Sequence, residues 1–557
     1  MIMFSFPEAG AEDIYSRYSM PPMKRAPESS SAQKILRKAK VLKHVQEMPV
    51  KFTEVMDTER FVNDLRVSIQ KQVNTVGKDY KTVNFDGKTS RELNNFIKSL
   101  PSTDKIEIIL TKREIILDEA VNLRSNTIIR GSSTRLAAGK VGIAVIGNGV
   151  ENTGLKDLTI DGPGKAGIML INTSKSVIDN ITILNSRDRG MVIRGQSRFI
   201  HVNGSRFKGN KRGGIMIQDG SHHVYISHSE VSGGTSSSNW SAGIVITSLR
   251  PVSEYGIRDA FDSNYFYPID ISYKGEAVPY KNIILGSHIH DNQSSGIYID
   301  GGNANVVEGN YIVNNDKEGL CLDFFSVGNI VELNSIKNNG FRRFQSDDDL
   351  RNDEVLNFGR LADGSAVSKL PNISLDNAAY NIIIRNTITG SAGDGVKIVR
   401  SGFRNIIGLN SITDNNIEEN SVFHFSGVLL GSAGREVEND TSGIDALPSI
   451  ENIVFGNTIY GSHRHGVLID HGSIYNDIYD NVIMKQKGVP VFEHDQPNSI
   501  IGNSFNIQKS DISEKLVTKK KQFSVLMIFV LVVLMFSVIV SVFFARHYLN
   551  KRKKNVT

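Results

Sequence analysis

The sequence predicts an all-β fold, a solenoid of short parallel strands, and three observations predict it. First, glycine-led strands with alternating apolar residues recur along the chain. They include Gly167-Ile-Met-Leu, Gly190-Met-Val-Ile, Gly214-Ile-Met-Ile, Gly243-Ile-Val-Ile, Gly296-Ile-Tyr-Ile, Gly319-Leu-Cys-Leu, Gly395-Val-Lys-Ile, Gly427-Val-Leu-Leu and Gly466-Val-Leu-Ile. Second, asparagines recur at Asn310, Asn334, Asn386, Asn410, Asn457, Asn481 and Asn503, with gaps of 24, 52, 24, 47, 24 and 22 residues. The period is near 23, and the two long gaps are one period plus an insertion. Third, glycine is abundant (49) and proline scarce (14) among 557 residues, which suits many tight turns without proline-rich linkers. A period of this length with short β-rich strands means a solenoid, and no Leu-x-x-Leu-x-Leu framework with a helix per unit is present.

Each period holds three short strands and three turns, so successive coils stack at the sheet spacing of about 4.8 Å. Alternate Ile, Leu and Val residues point inward and fill the core. The recurrent asparagine suits a turn where its amide can bond the same residue one coil above and below. These asparagines are therefore read as structural.

Composition narrows the function. Lys+Arg (64) and Asp+Glu (59) nearly cancel, for a net charge of +5, and much of the excess sits in the two end segments. A nucleic-acid partner is not expected. The single cysteine, Cys321, excludes an intrachain disulfide framework and any cysteine-based metal site.

The first 80 residues read as a tail with helical segments. Pro21, Pro22, Pro27 and Ser29–Ser31 mark loop, and Ile35 to Met48 is basic and weakly amphipathic, fitting a linker helix or a membrane-surface or partner helix. Residues 83–508 form the repeat domain, followed by a basic linker at 509–522. Phe523 to Ala545 is an uncharged apolar stretch of 23 residues bracketed by basic clusters. At about 1.5 Å per residue it is long enough to cross a hydrocarbon core of roughly 30 Å. The expectation is a single-pass membrane protein anchored by this C-terminal helix, with a basic tail at 546–557. The flanking charges leave the side of the membrane open.

The repeat resembles the right-handed parallel β-helix proteins of pectate-lyase-like fold. The segment from Val83 to Leu100 looks like the amphipathic helix that lids the first coil in that superfamily, with Leu93, Phe96, Ile97 and Leu100 at helical spacing. The strands Ile106–Leu110 and Glu114–Leu117, and the run from Leu123 to Gly131, are similar to its first coils. The resemblance implies a right-handed parallel β-helix with an N-terminal cap helix. It is specific for fold and not for activity, because such folds host lyases, hydrolases, epimerases and non-enzymes.

Outward positions of one strand form columns, one residue per coil. Aligning the glycine-led strands puts Arg194, Gln218, Thr247, Asp300, Asp323 and Asp376 in one column and Tyr298, Cys321, Ser374 and Lys397 in the next, with Arg400 near the strand end. Stacked carboxylates repel, so one is expected to hold its proton beside an ionised neighbour, the arrangement that acid/base chemistry on sugars uses. Asp300, Asp323, Asp376 and Lys397 are the candidate catalytic residues. Trp240, Tyr298, Arg194, Gln218 and Arg400 are candidates for binding substrate. Polygalacturonase-type relatives carry three aspartates on this face, but their Asp-Asp pair, Gly-His-Gly and Arg-x-Lys are missing here, as is the Asp-Pro-His of alginate epimerases. A lyase reading would use the carboxylates for Ca²⁺ and Lys397 or Arg400 as base; otherwise no cofactor or metal is expected. The alternative for the aspartates is turn capping, since each ends a strand.

Insertions at Ser248–Lys281, Gly340–Pro371 and Gly431–Ile450 are placed as loops; the first two flank the aspartate coils. His288 and His290 form a His-x-His that on one side of a strand can chelate a metal with Asp291 nearby, but their place near the Asn turn favours surface packing; His463-Arg-His465 and Glu493-His-Asp495, in later turns, are read the same way. The favoured function is a membrane-anchored β-helix protein acting on a polysaccharide, by hydrolysis or by lyase or epimerase proton abstraction. The rival is a non-catalytic polysaccharide-binding or assembly module.

Overall fold

A computed structural model describes residues 49–248, 278–323, 326–341, 358–360, 366–399, 402–416, 425–431, 449–461 and 463–505. The chain divides into a long unit, Met1–Asn503, and a short one, Ser504–Thr557, of which only the two-residue strand Ser504–Phe505 is described.

The long unit is a stack of parallel coils. Alternation of apolar and other residues makes each short segment a strand with one inward face. The strands fall into three ribbons. One is a sheet of 13 parallel strands running from Val121–Asn122 to Val491–Glu493. The other two ribbons share the 11-residue strands Thr127–Ala137 and Glu151–Asp161, which bend across both; the register shifts between Arg130 and Thr134 where the first of them turns the corner. Between the ribbons runs one continuous core. Ile217, Ile246, Ile299, Leu322, Leu375 and Ile398 occupy equivalent inward positions on consecutive coils, all with no exposed surface.

The turns are held by asparagine ladders. Asn310, Asn334, Asn386, Asn410, Asn457, Asn481 and Asn503 form the expected one: each Nδ2 donates to the Oδ1 of the next at 2.9–3.0 Å. The backbone N–H of each also donates to that oxygen, at 2.9 Å for Asn386 to Asn410. Two further ladders stand at the other turns. One runs Asn282, Asn305, Asn329, Asn381, Asn405, Asn452, Asn476, Asn498. The other runs Asn292, Asn315, Asn339, Asn372, Asn415 and ends on His463, whose Nε2 stands 3.3 Å from the Asn415 amide nitrogen. Serines Ser205, Ser229 and Ser287 supply the earlier rungs of the first ladder.

Among the described residues three α-helices accompany the coils: α1 (Phe52–Val55), α2 (Thr58–Val73) and α3 (Ser90–Ser99). Helix α3 is the expected cap. The Thr89 hydroxyl accepts from the Glu92 N–H at 3.2 Å, and the Glu92 carboxylate accepts from the Thr89 N–H at 3.2 Å, a reciprocal capping box. Leu93 and Ile97 are buried on the first coils, and Phe96 and Leu100 pack beside them. Helix α2 lies along the outer face of one ribbon. Val62, Leu65, Ile69 and Val73 pack with Tyr225, Ile283, Ala304, Val306 and Ile330, all buried. Val50 fixes the approach, its N–H donating to Asn303 Oδ1 at 2.8 Å.

Two expectations are corrected. The apolar stretch Phe523–Ala545 lies outside the described residues, and among those described no helix is long and apolar enough to cross a membrane. The longest, α2, has 16 residues and one apolar stripe, which is spent on the solenoid. Among the described residues the fold is therefore an all-β parallel β-helix with short amphipathic helices, none of which can cross a membrane, so the expected C-terminal membrane helix and single-pass localisation find no support there. The segment Ile35–Met48 and most of the three insertions also lie outside the described residues, apart from an antiparallel hairpin of Phe358–Arg360 with Ala366–Ser368.

Candidate active site

The 13-strand ribbon carries the two outward columns. Gln218 pairs with Thr247, Thr247 with Asp300, and Asp300 with Asp323. Leu322 pairs with Leu375, which brings Asp376 level with Asp323 on the next coil. The adjacent column reads Met216, Val245, Tyr298, Cys321, Ser374, Lys397. The three aspartates and the lysine thus stand on consecutive coils in the sequence order expected.

Their environments differ. Asp300 is wholly buried; the Thr247 hydroxyl lies 3.5 Å from its Oδ2, and its Oδ1 accepts no hydrogen bond among the described residues. Burial first, and then the Asp323 charge, hold the Asp300 carboxyl well above the usual carboxylate range. Burial therefore favours the protonated form of Asp300. Asp323 is 9% exposed, and its Oδ2 accepts from the Tyr298 hydroxyl at 2.8 Å. Burial and the neighbouring Asp323 charge push the Tyr298 phenol well above 10, so it stays a donor. Asp376 and Lys397 are only partly buried, so the column opens toward solvent at their end.

The predicted binding residues divide. Tyr298 is buried and joins Asp323 directly. Trp240, in the turn Asn239–Ser241, meets Tyr298 edge-on with ring centroids 6.1 Å apart, inside a small apolar cluster with Met216, Ala242, Val245 and Cys321. Arg194 forms an ion pair with Asp219 at 3.3 Å, and the fully buried Gln218 donates to the same carboxylate at 3.2 Å. Both stand at the N-terminal end of the column, away from Asp376 and Lys397. Arg400 lies outside the described residues, as do most of the loops expected as walls.

Two contributors were not singled out from the sequence. Thr247 touches Asp300, and its place in the column was its only signal. Glu318, just before the Gly319 strand, accepts from Ser295 at 2.9 Å; its charge is the largest of four that raise the buried Cys321 thiol, ahead of Asp323, Asp376 and Asp300. Its position at the head of the Asp323 coil was the available clue. The cluster is thus a carboxyl-rich face with one carboxyl that burial favours in its protonated form, one carboxylate oriented by a phenol and one cation near the open end.

Residues 113–253 and 253–348 match the family model described as the right handed beta helix region. Several solved structures are similar. The AlgE6 A-module of mannuronan C-5 epimerase from Azotobacter vinelandii is 15% identical with a TM-score of 0.46, covering 78% of this chain and 99% of its own. The catalytic unit of a thermostable alpha-1,3-glucanase from Streptomyces thermodiastaticus is 10% identical with a TM-score of 0.45, covering 78% and 68%. PfbA, a surface adhesin of Streptococcus pneumoniae, is 12% identical with a TM-score of 0.40, covering 75% and 88%. No curated protein matches the sequence. With three parallel ribbons, stacked asparagine turns and the matched repeat region, the described solenoid is a right-handed parallel β-helix.

Proposed function

We propose that this protein acts on a polysaccharide along the outward face of the 13-strand ribbon, by hydrolysis, with Asp323 and Asp376 as the carboxyl pair. The observation that carries the reading is the Asp300–Asp323–Tyr298 arrangement: a fully buried carboxyl, whose burial favours its protonated form, one coil from a carboxylate that a phenol orients. Neighbouring coils put the carboxyl groups about 5 Å apart, the separation at which one can attack while the other protonates a leaving group. In this reading Asp323, held by Tyr298, is the attacking carboxylate. Asp376, nearer solvent, handles the proton of the leaving group. Asp300 is a positioning residue that never reaches substrate. Lys397 offsets the negative charge at the open end. A face with this excess of carboxyl groups suits a neutral glycan better than a uronate polymer, which it would repel; that disfavours a proton-abstracting lyase or epimerase. A ribbon of 13 coils is about 58 Å long at sheet spacing, which accommodates an extended polymer.

The second reading, a binding module without catalysis, is favoured by the full burial of Asp300 and by the Arg194–Asp219 pair, which ties up a predicted sugar contact. Asp323→Asn separates the two. Incubation with a panel of glycans, read by new reducing ends and by ultraviolet absorbance of unsaturated products, should show turnover in the parent and none in the variant. The thermal midpoint should change little, because the amide oxygen still accepts from Tyr298. Full activity in the Asp323→Asn and Asp376→Asn variants would leave the binding module standing.

A further inference from the structure

At the C-terminal end of the same ribbon the column reaches a different chemistry. Ile469 pairs with Glu493, so the residues that follow each strand lie level on adjacent coils: Asp470 beside His494, and His471 beside Asp495. A carboxylate faces an imidazole in each pair, and the order is reversed between them. The four side chains therefore form a two-by-two patch with unlike neighbours.

The distances are informative. His494 Nε2 stands 3.6 Å from Asp470 Oδ1, and His471 Nδ1 stands 3.6 Å from Asp495 Oδ2. Both separations exceed a hydrogen bond. Donor atoms of Asp470, His471 and His494 all lie within 4.8 Å of one another. Ligands around a tetrahedral zinc at bond lengths of about 2.0–2.2 Å are roughly 3.3–3.6 Å apart, so the Asp470–His494 pair already has the spacing that a shared cation imposes, with His471 close by as a third donor. The support is built as well. The Asp470 side chain is mostly buried, and Asp495 Oδ2 accepts from the Gly472 N–H at 2.6 Å, which fixes that carboxylate. The two imidazole rings, with centroids 4.0 Å apart, are exposed and free to turn by the few tenths of an ångström required.

We infer that Asp470, His471 and His494, with Asp495 beside His471, form a binding site for a divalent transition-metal ion that clamps the last two strands of the 13-strand ribbon. Two neutral imidazoles and two carboxylates balance a doubly charged cation. Nitrogen donors select zinc, cobalt, nickel or copper over calcium and magnesium, which take oxygen. The site spans the third and fourth coils beyond the Asp376 coil, about 14–19 Å along the column, so it stands apart from the proposed chemistry.

The test uses the full chain, freed of any purification tag, stripped with a chelator and dialysed. Titration with Co²⁺ should give one equivalent bound and the intense visible absorption of a four- or five-coordinate ion; Zn²⁺ should displace it and Ca²⁺ should not. His471→Ala and His494→Ala should each weaken affinity on the order of 100-fold, and Asp495→Asn on the order of 10-fold. The His288→Ala/His290→Ala variant, which removes another close histidine pair, should bind as the parent does. Zn²⁺ should also slow proteolysis of the C-terminal coils. Failure of the parent to bind one equivalent, or undiminished binding in both single histidine variants, overturns the inference. Because the first of these needs no variant, a folding defect cannot obscure the result.

Discussion

Leu333 has a φ of +58° and is 54% exposed, an apolar β-carbon in a conformation that favours glycine. It precedes a ladder asparagine, Asn334, and that position is left-handed on every rung: Gly309, Arg385, Leu409, Gly456, Asp480 and Gly502 share it. The turn imposes the conformation so that the next residue's amide can point along the stack. Leucine bears a strain of roughly 1–2 kcal/mol there. Leu333→Gly should therefore stabilise the coil by up to about 1 kcal/mol after the added freedom of the unfolded chain is counted, seen as a higher denaturant midpoint at unchanged slope. Individual residues were the least legible scale in the sequence. The Asp300 column could be aligned from strand alternation, but its burial could not, because that depends on what covers the face. The Arg194–Asp219 pair was hidden in the same way: the partner sits in a turn that the repeat pattern does not align.

Helix α2 shows why some elements escaped notice. Its stripe of Val62, Leu65, Ile69 and Val73 is an ordinary amphipathic pattern, but its partners Tyr225, Ile283, Val306 and Ile330 sit on strands whose apolar residues all look like core. A run of residues such as Asn282-Ile-Ile-Leu has apolar groups on both faces, and only the packing tells which face meets a helix. The cap α3 was legible because its box and its apolar spacing are local. Ile69, on the stripe of α2, is fully buried against the ribbon, and Ile69→Ala should cost about 2–4 kcal/mol of docking. The coils beneath are held by their own ladders, so the loss should be confined. Hydrogen exchange should lose protection over residues 52–73 and at Tyr225, while the strand amides facing the core stay protected.

Across the whole molecule, buried histidines link stability to acidity. Burial pushes His463 down to about 3, and His201, His222 and His223 down to about 4. The unfolded chain binds protons at these sites near the ordinary 6.5 while the folded chain does not. Their contribution to stability is thus complete above about 6.5 and is lost as pH falls toward 4 and below. The raised Asp300 carboxyl works in the opposite sense, stabilising the fold at low pH and losing that contribution as pH rises through its folded value. Glu308 and Asp477, raised by burial, act with Asp300, and His288, lowered by burial, acts with the other histidines; five groups against three predict a lower denaturant midpoint at pH 4.5 than at pH 7. His463 ends the ladder that Asn415 reaches, a position where the other coils place asparagine. His463→Asn should keep that acceptor and flatten the acid limb; an unchanged slope would assign the effect to the other histidines. The solenoid itself was legible from the seven spaced asparagines, whereas the two parallel ladders were obscured by serines and insertions that broke their spacing.

The ladders also say something about how such a chain can change. Asn310 and Asn334 are 24 residues apart and Asn334 and Asn386 are 52 apart, yet both pairs meet at 3.0 Å with the same atoms. A rung registers only its neighbours in space and is indifferent to the length of chain that delivered them. New material can therefore enter at a turn without recoding the core on either side. In this architecture the surface loops are modular cargo on a frame that does not count them, and recognition can be rewritten one turn at a time while the frame keeps its register.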